Sequence, residues 1–282
     1  MTRGRGLGWL AHKLGRNVPA SLGALVILLL LVVSAEPRWF TARDPYRLDP
    51  VNRLLPPSAI YPLGTDEMGR DIYTRIVYGA RLTLGAAVLA VALATLAGGI
   101  VGLLAGYAGG WFDEIVMRTT DVFLAFPPLV LAMAIVAALG QDLVNSVLGL
   151  AGIWWAQYAR LMRSRALEIK AQEYVLGARA TGVSRLRILV RHVAPNGLAP
   201  LTVKASIDMG LVVVMLSALS FMGLGAKPPI PEWGAMITTG RKYLLDYWWV
   251  PTFPGFAIFV SVLAFNVLGD WIRDVMDPRA QA

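Results

Sequence analysis

Residues 82–112 read LTLGAAVLAVALATLAGGIVGLLAGYAGGWF, with no charged side chain. A helix needs roughly 20 apolar residues to cross a hydrocarbon core about 30 Å thick. This run is longer than one crossing requires. Five further stretches qualify on the same test: residues 18–35, 122–139, 143–159, 209–226 and 247–269. The stretch at 209–226 extends back to about Leu198 if Lys204 and Asp208 are tolerated within it. The expected fold is therefore all-α, a polytopic membrane protein with six transmembrane helices.

Composition agrees. The chain has 282 residues, 56% hydrophobic and 16% charged, with a mean hydropathy of +0.59. Soluble proteins carry about 25% charged residues. The deficit excludes a disordered chain and argues against an ordinary cytosolic enzyme. With no cysteine, disulfides, thiolate metal sites and cysteine nucleophiles are excluded. The two histidines, His12 and His192, lie far apart, and no HExxH pair exists, so no metal site is expected.

The first stretch follows Arg3, Arg5, Lys13 and Arg16 and ends in Val33-Ser34-Ala35, which also suits a cleavable leader. Its apolar run exceeds the usual ~7–15 residues of a leader, and it is read as an uncleaved first helix after a cytoplasmic tail, residues 1–17. With the N-terminus inside, inner segments hold 15 of the 26 Lys and Arg residues and outer segments hold 10. The positive-inside rule then places both termini, including the tail 270–282, in the cytoplasm.

Three connections are long enough to do work. The outer segment, residues 36–81, is Pro-rich and extended through Pro56-Pro57. It then changes character. Ile72, Tyr73, Ile76, Val77 and Ala80 share one helical face, with Thr74, Arg75, Tyr78 and Arg81 opposite. That pattern predicts a helix lying on the membrane before the second span. The outer loop 227–249 holds three prolines and ends in Tyr247-Trp248-Trp249. It reads as a membrane-interface belt without a site. The remaining core, residues 82–269, holds the other five spans and contains the inner segment 160–196, which is long for a passive connection. Good helix formers run from Ala171 to Ala180. Gly182 can supply a positive φ, and Ser184 can cap a second helix. There Leu186, Leu189, Val190 and Val193 make an apolar face, and Pro195 stops the helix. A helix–glycine turn–helix results, with small side chains at Ala178 and Ala180 that allow a partner to approach closely.

Other residues carry bland and sharp readings side by side. Ala86, Ala90, Ala94, Gly98, Gly102 and Gly106 recur at every fourth position. Such a stripe lets helices pack closely, either statically within this chain or as a sliding interface. Lys204 and Asp208 share a helix face, as an ion pair or as lining of a solute path. Asp121 with Arg118, ahead of Pro127-Pro128, poses the same choice. His192 reads as structural.

The inner segment also carries a resemblance. Glu173-Tyr174-Val175-Leu176-Gly177-Ala178-Arg179-Ala180-Thr181-Gly182-Val183-Ser184, with Arg191-His192-Val193-Ala194-Pro195-Asn196, resembles the cytoplasmic EAA loop of bacterial ABC importer permeases. More narrowly, the chain is similar to the C-type permease subunit of the dipeptide/oligopeptide/nickel importers. Leu63-Gly64-Thr65-Asp66-Glu67-Met68-Gly69-Arg70-Asp71, continuing to Gly79-Ala80-Arg81, matches that subfamily. So do Gly109-Gly110-Trp111-Phe112-Asp113 through Met117-Arg118 and Asp121 to Pro127, and Leu268-Gly269-Asp270-Trp271-Ile272-Arg273-Asp274 with Asp277-Pro278-Arg279. One departure stands out. The general motif has a Glu and two Ala before the Gly, where this chain has Leu176, Gly177 and Ala178; Glu173 lies one helical turn earlier.

The resemblance implies a bacterial inner-membrane subunit forming half of a translocation pathway. A homologous permease would form the other half. Two ATPase subunits would dock on the inner loops, and an external solute-binding protein would deliver solute. ATPase coupling would fall to Glu173, Gly177, Ala178, Arg179, Ala180, Gly182, Ser184 and Pro195. ATP and Mg would sit on the partner ATPases; no nucleic acid is implied. The chain itself has no GxxxxGK[ST], so it lacks a P-loop's phosphate cradle and is not expected to be an enzyme. Peptides are the expected solute, with nickel or another small solute as the alternative. A secondary transporter would show inverted repeats, and a membrane-embedded enzyme a convergent acid, base or metal cluster. Neither is seen.

Overall fold

The computed structural model describes residues 13–276. The basic residues Arg3 and Arg5, His12 and the Asp277-Pro278-Arg279 match lie outside the described residues. Among those described, helix dominates and no strand forms; Thr65 and Asp71 make one isolated antiparallel bridge. The helices are α1 (Val18–Ala35), α2 (Ile72–Ala108), α3 (Gly110–Ala125), α4 (Pro128–Leu139), α5 (Leu143–Lys170), α6 (Glu173–Ala180), α7 (Arg185–Ile188), α8 (Ala194–Phe221), α9 (Trp233–Gly240) and α10 (Trp249–Met276). They form two compact units, one of residues 88–205 and one of the chain on either side.

In the flanking unit, α1 starts at Asn17, whose side chain accepts from the Ala20 N–H at 3.1 Å, with Pro19 in the first turn. This is an ordinary N-cap. α1 packs on α10. A Cβ at Gly23 would lie 3.2 Å from the Ala264 carbonyl oxygen, so the two backbones meet closely there. Leu22, Leu25, Leu28, Leu29 and Leu31 point outward. Exposed leucines on an uncharged helix are what a lipid-facing surface requires.

The expected surface helix over residues 72–81 is not a separate element. It is the first part of α2, which runs unbroken to Ala108. Much of both faces is covered: Ile72, Val77 and Ala80 are buried, and so are Thr74 and Arg75, while Arg81 stays exposed. Hydrogen bonds explain the covering of the polar side. Arg75 donates to the carbonyls of Pro45 at 3.0 Å and Pro229 at 3.2 Å, and Thr74 donates to Asp71 at 2.7 Å. Polar side chains that find such partners need not face solvent.

In the unit of residues 88–205, α5 is the central helix. Ser146, Leu150, Ile153, Trp154, Tyr158, Ala159 and Met162 are all buried along it. Gly98, Gly102 and Gly106 of α2 face it. A Cβ on Gly98 or Gly102 would collide with the Trp155 or Ala159 carbonyl, and one on Gly106 would come within 2.6 Å of the Arg163 carbonyl. Ala90 and Ala94 are buried on the same stripe, as is Ala86 in the other unit. The close approach demanded by these contacts is the packing that small residues permit.

The run 122–139 is broken. α3 and α4 meet at 98° about Phe126-Pro127. Phe126 is extended, as a residue before proline prefers. With 12 residues, α4 rises only about 18 Å. Four helices among the described residues are long and apolar enough to cross a membrane, or five if the bent pair counts as one. α5 is absent from that number. Asn145, Ser146, Gln157 and Tyr158 lie in the half where a span was read, and a helix wrapped by its own chain need not be lipophilic all round.

Candidate functional site

Two places hold the residues that the sequence singled out. The first is the helix pair that follows α5. Gln172 precedes α6 in an extended conformation. Thr181 ends it, its hydroxyl donating to the Ala178 carbonyl at 3.0 Å. Gly182 follows with φ +83°, and no atom lies within 4 Å of where its Cβ would be. The Gly182 and Val183 N–H groups bond back to the Arg179 and Ala178 carbonyls, closing the C-terminus of α6 by the usual left-handed turn. Ser184 precedes α7 with extended backbone, but its side chain makes no capping bond.

The expected stop at Pro195 does not occur. α7 passes through a π-turn, Leu189–Val193, directly into α8, so that helical backbone runs from Arg185 to Phe221. The Ala194 N–H reaches the Leu189 carbonyl, an i→i−5 bond. The wider turn takes up the proline, which has no N–H to contribute. Asn196 Nδ2 donates to the His192 carbonyl at 2.6 Å, and Pro200 is also accommodated inside α8.

The apolar face of α7 differs from the predicted one by rotation. Ile188, Leu189 and Val193 are buried with Val175 of α6 and with Ala166 and Ile169 of α5, and Leu103, Tyr107 and Val183 pack around them. Leu186 and Val190, expected on that face, are 69% and 61% exposed. Tyr174 and Leu176 of α6 are half exposed. Arg179, Arg185, Arg187 and Arg191 are exposed too. One polar bond reaches the pair from α2, and a second ties α5 to α2 beside it. Tyr107 donates to the Arg185 carbonyl at 2.8 Å, and Lys170 to the Gly106 carbonyl at 2.8 Å. Neither residue was singled out by sequence; no periodicity marks a side chain whose partner is a backbone carbonyl. The pair is thus a miniature core fixed on α5, presenting an apolar and basic outer face.

Below it, α3 is held to α5 by ion pairs. Arg163 forms a two-bond pair with Asp113, at 2.6 and 3.0 Å. Asp121 pairs with Arg160, not with Arg118 as expected; Arg118 lies 3.9 Å from Glu114. The correction follows from helix geometry: α5 brings Arg160 and Arg163 to one face, three residues apart. Lys204 donates to Gln157 Oε1 at 3.0 Å and lies 5.3 Å from the Tyr158 ring centroid. Asp208 is buried in the other unit.

The second place is the corner at residues 63–75. Asp66 organises it. One carboxylate oxygen accepts from the Met68 and Arg70 N–H groups, both at 2.9 Å, and the other from Arg70 Nε at 2.7 Å, with Arg75 Nε at 3.5 Å. Thr65 donates to the Asn52 carbonyl at 2.6 Å and accepts from the Leu55 N–H. Gly69 has φ +75°, and a Cβ there would strike the Asp49 backbone. The motif quoted from this stretch is therefore a turn held mainly by its own hydrogen bonds, with Glu67 Oε2 and Asp71 Oδ1 buried and without a partner among the described residues. Glu232 is a related feature that sequence reasoning passed over. It is 1% exposed and caps α9, accepting from the Gly234 and Ala235 N–H groups at 2.9 and 2.8 Å and from Thr83 at 3.2 Å. Burial pushes its carboxyl above the usual range, opposed by those N–H groups and the Thr83 hydroxyl. An acidic residue between Pro231 and an apolar run was the available signal.

Residues 98–282 match the family described as binding-protein-dependent transport system inner membrane component. The chain belongs to this family. Relatives of such permeases agree over nearly the whole length. A probable D,D-dipeptide transport system permease protein of Escherichia coli is 42% identical, over 94% of this chain and 89% of its own. A dipeptide transport system permease protein of Alkalihalophilus pseudofirmus is 40% identical, over 96% and 89%. The nickel transport system permease protein of Escherichia coli is 37% identical, over 92% and 93%. This inner membrane component is thus a transport permease, and the family match includes the whole helix pair, the Tyr107 bond that ties it to α2 and the Ala166 and Ile169 packing that fixes it on α5.

Proposed function

We propose that the chain is one of two homologous membrane subunits of an ATP-driven importer of di- or oligopeptides. Two ATPase subunits would bind inside, carrying ATP and Mg, and a solute-binding protein would deliver cargo outside. In this reading the chain makes and breaks no covalent bond. Six spans are formed by α1, α2, the bent pair α3–α4, α5, α8 and α10, with both termini cytoplasmic. The basic surplus of the inner segments supports that orientation.

The single observation that carries the coupling role is the exposed face of the helix pair. Tyr174, Leu176, Leu186 and Val190 stand outward from a pair whose other side is anchored in α5. Large apolar side chains left exposed on a pair whose other side is fixed are what a protein partner covers. The anchoring supplies the lever. α7 continues into α8, and Val175 and Ile188 are packed on Ala166 and Ile169 of α5, so a force on the pair passes into two long helices. Alternating access then needs only rigid-body movement of these helices. Glu173, Gly177, Ala178, Arg179, Ala180, Gly182, Ser184 and Pro195 all lie in or beside this element. The departure from the general motif leaves no carboxylate at 176, and Glu173, exposed in the first turn of α6, is the acidic group available to the partner.

The peptide reading rests on the relatives' names, and the nickel permease among them keeps a metal complex as the second reading. The test is purification of the assembled complex with its ATPases, followed by ATP hydrolysis with peptide-loaded, nickel-loaded and empty binding protein. Stimulation by the peptide-loaded form is expected. Stimulation only by the nickel-loaded form would replace the solute, and absence of any associated ATPase would overturn the importer reading.

A further inference from the structure

An open cleft of about 680 Å³ lies between the Asp66 corner and the end of α9. Its volume falls in the range of about 300–1,000 Å³ common for small-molecule sites. All its lining residues belong to the flanking unit. Leu48, Met68, Pro228 and Pro229 supply apolar wall. The charge on the two sides is unequal. On the corner side Glu67 is neutralised by Arg70 Nη2 at 3.0 Å, and Arg70 and Arg75 share Asp66. On the α9 side stand Arg241 and Lys242, both exposed. Among the described residues neither has a carboxylate at ion-pair distance. Their contacts are aromatic: the Arg241 guanidinium lies 5.0 Å from the Phe221 ring centroid and Lys242 Nζ 4.9 Å from that of Tyr243. Ring faces position a cation without neutralising it.

We infer that this cleft receives the carboxylate of a small solute, with Arg241 and Lys242 as its ligands and the apolar wall against the solute's side chain. The inference rests on the peptide reading, since a free peptide ends in such a carboxylate. Two adjacent cations on the wall of a concave site, opposite a neutralised wall, favour a small anion within the cleft over a flat protein surface. Charge-assisted hydrogen bonds would carry the recognition.

The test uses the assembled permease–ATPase complex without binding protein, with radiolabelled glycyl-leucine and its C-terminal amide in equilibrium dialysis. Wild type is expected to bind the free acid at least about tenfold more tightly than the amide, the discrimination that hydrogen bonds to a charged group provide. R241Q/K242Q should lose that preference, and R241K/K242R should keep most of it. Equal binding of acid and amide by wild type, or no binding of either, overturns the proposal even if a variant fails to assemble. So does a variant that leaves peptide binding unchanged and only raises the concentration of binding protein needed for ATPase stimulation. In that case the cations dock a protein. Uptake of glycyl-leucine by whole cells separates the two readings: uptake without binding to the permease overturns the cleft alone, whereas lack of uptake of any peptide removes the import reading itself.

Discussion

At Gly182 the backbone has φ +83° and the surrounding space is empty. A side chain there therefore meets no steric obstacle, and its cost is conformational. Gly182→Val should cost about 1–3 kcal/mol of local strain and turn α6 relative to α7. Normal membrane abundance is expected, with uptake and solute-stimulated ATP hydrolysis lost; full retention of both would remove the helix pair from coupling. Gly177 is the control. It is helical, has equal space, and Gly177→Ala should gain up to about 1 kcal/mol of helix propensity, so membrane abundance should not fall and any loss of transport would report the partner contact, not backbone strain. Glu232 offers a pH test of the buried cap. Its folded carboxyl titrates above its unfolded value because of burial. Stability from this group is then present below the ordinary carboxylate range and declines as pH rises through the folded value. Glu232→Gln should flatten that decline in thermal unfolding of the purified complex, and an unchanged pH slope would deny the buried acid a role.

At the scale of elements, α3 is a rod with a break at each end. Gly109 before it and Gly110 at its first position have φ +70° and +63°, and Phe126-Pro127 turns the chain by 98° after it. Between these breaks it depends on α5 through Asp113–Arg163 and Asp121–Arg160. Arg163→Gln leaves Asp113, which is 9% exposed, without its two strong donors. The expected loss is about 1–3 kcal/mol. Combining it with Asp113→Asn should recover part of that loss, because a lone buried charge is the costly state. Melting temperatures of single and double variants decide it; strict additivity would show that the two residues are not coupled. The π-turn before α8 belongs to the same scale. It could not be read from Pro195, since a proline signals the end of a regular helix and says nothing of a widened turn that absorbs it.

For the whole molecule, orientation is the property most open to direct test. The chain has no cysteine, so single cysteines report cleanly. Ser184 and Lys242 are both exposed and are read on opposite sides. An impermeant thiol reagent applied to intact cells should label Lys242→Cys and spare Ser184→Cys. The reverse pattern would invert the topology and with it the assignment of inner and outer partners.

The all-helical fold class, the long apolar helices at 18–35, 72–108 and 249–275 and the glycine turn at 182 were legible in the chain itself. Long uncharged runs have few stable forms in lipid, and a local backbone requirement is written in local residues. The family resemblance was legible for the same reason, since its motifs are contiguous. The tertiary structure alone decided which polar residues are buried and with whom. Arg75 and Thr74 looked like an exposed face and are covered by the 41–45 segment and Pro229. Asp121 looked paired to its helical neighbour and found Arg160, 39 residues on. Leu186 and Val190 looked like core and stand outside, while Ile188 is fully buried. In each case helical periodicity gives the spacing of a face but not its azimuth, because that angle is set by the helix packed against it.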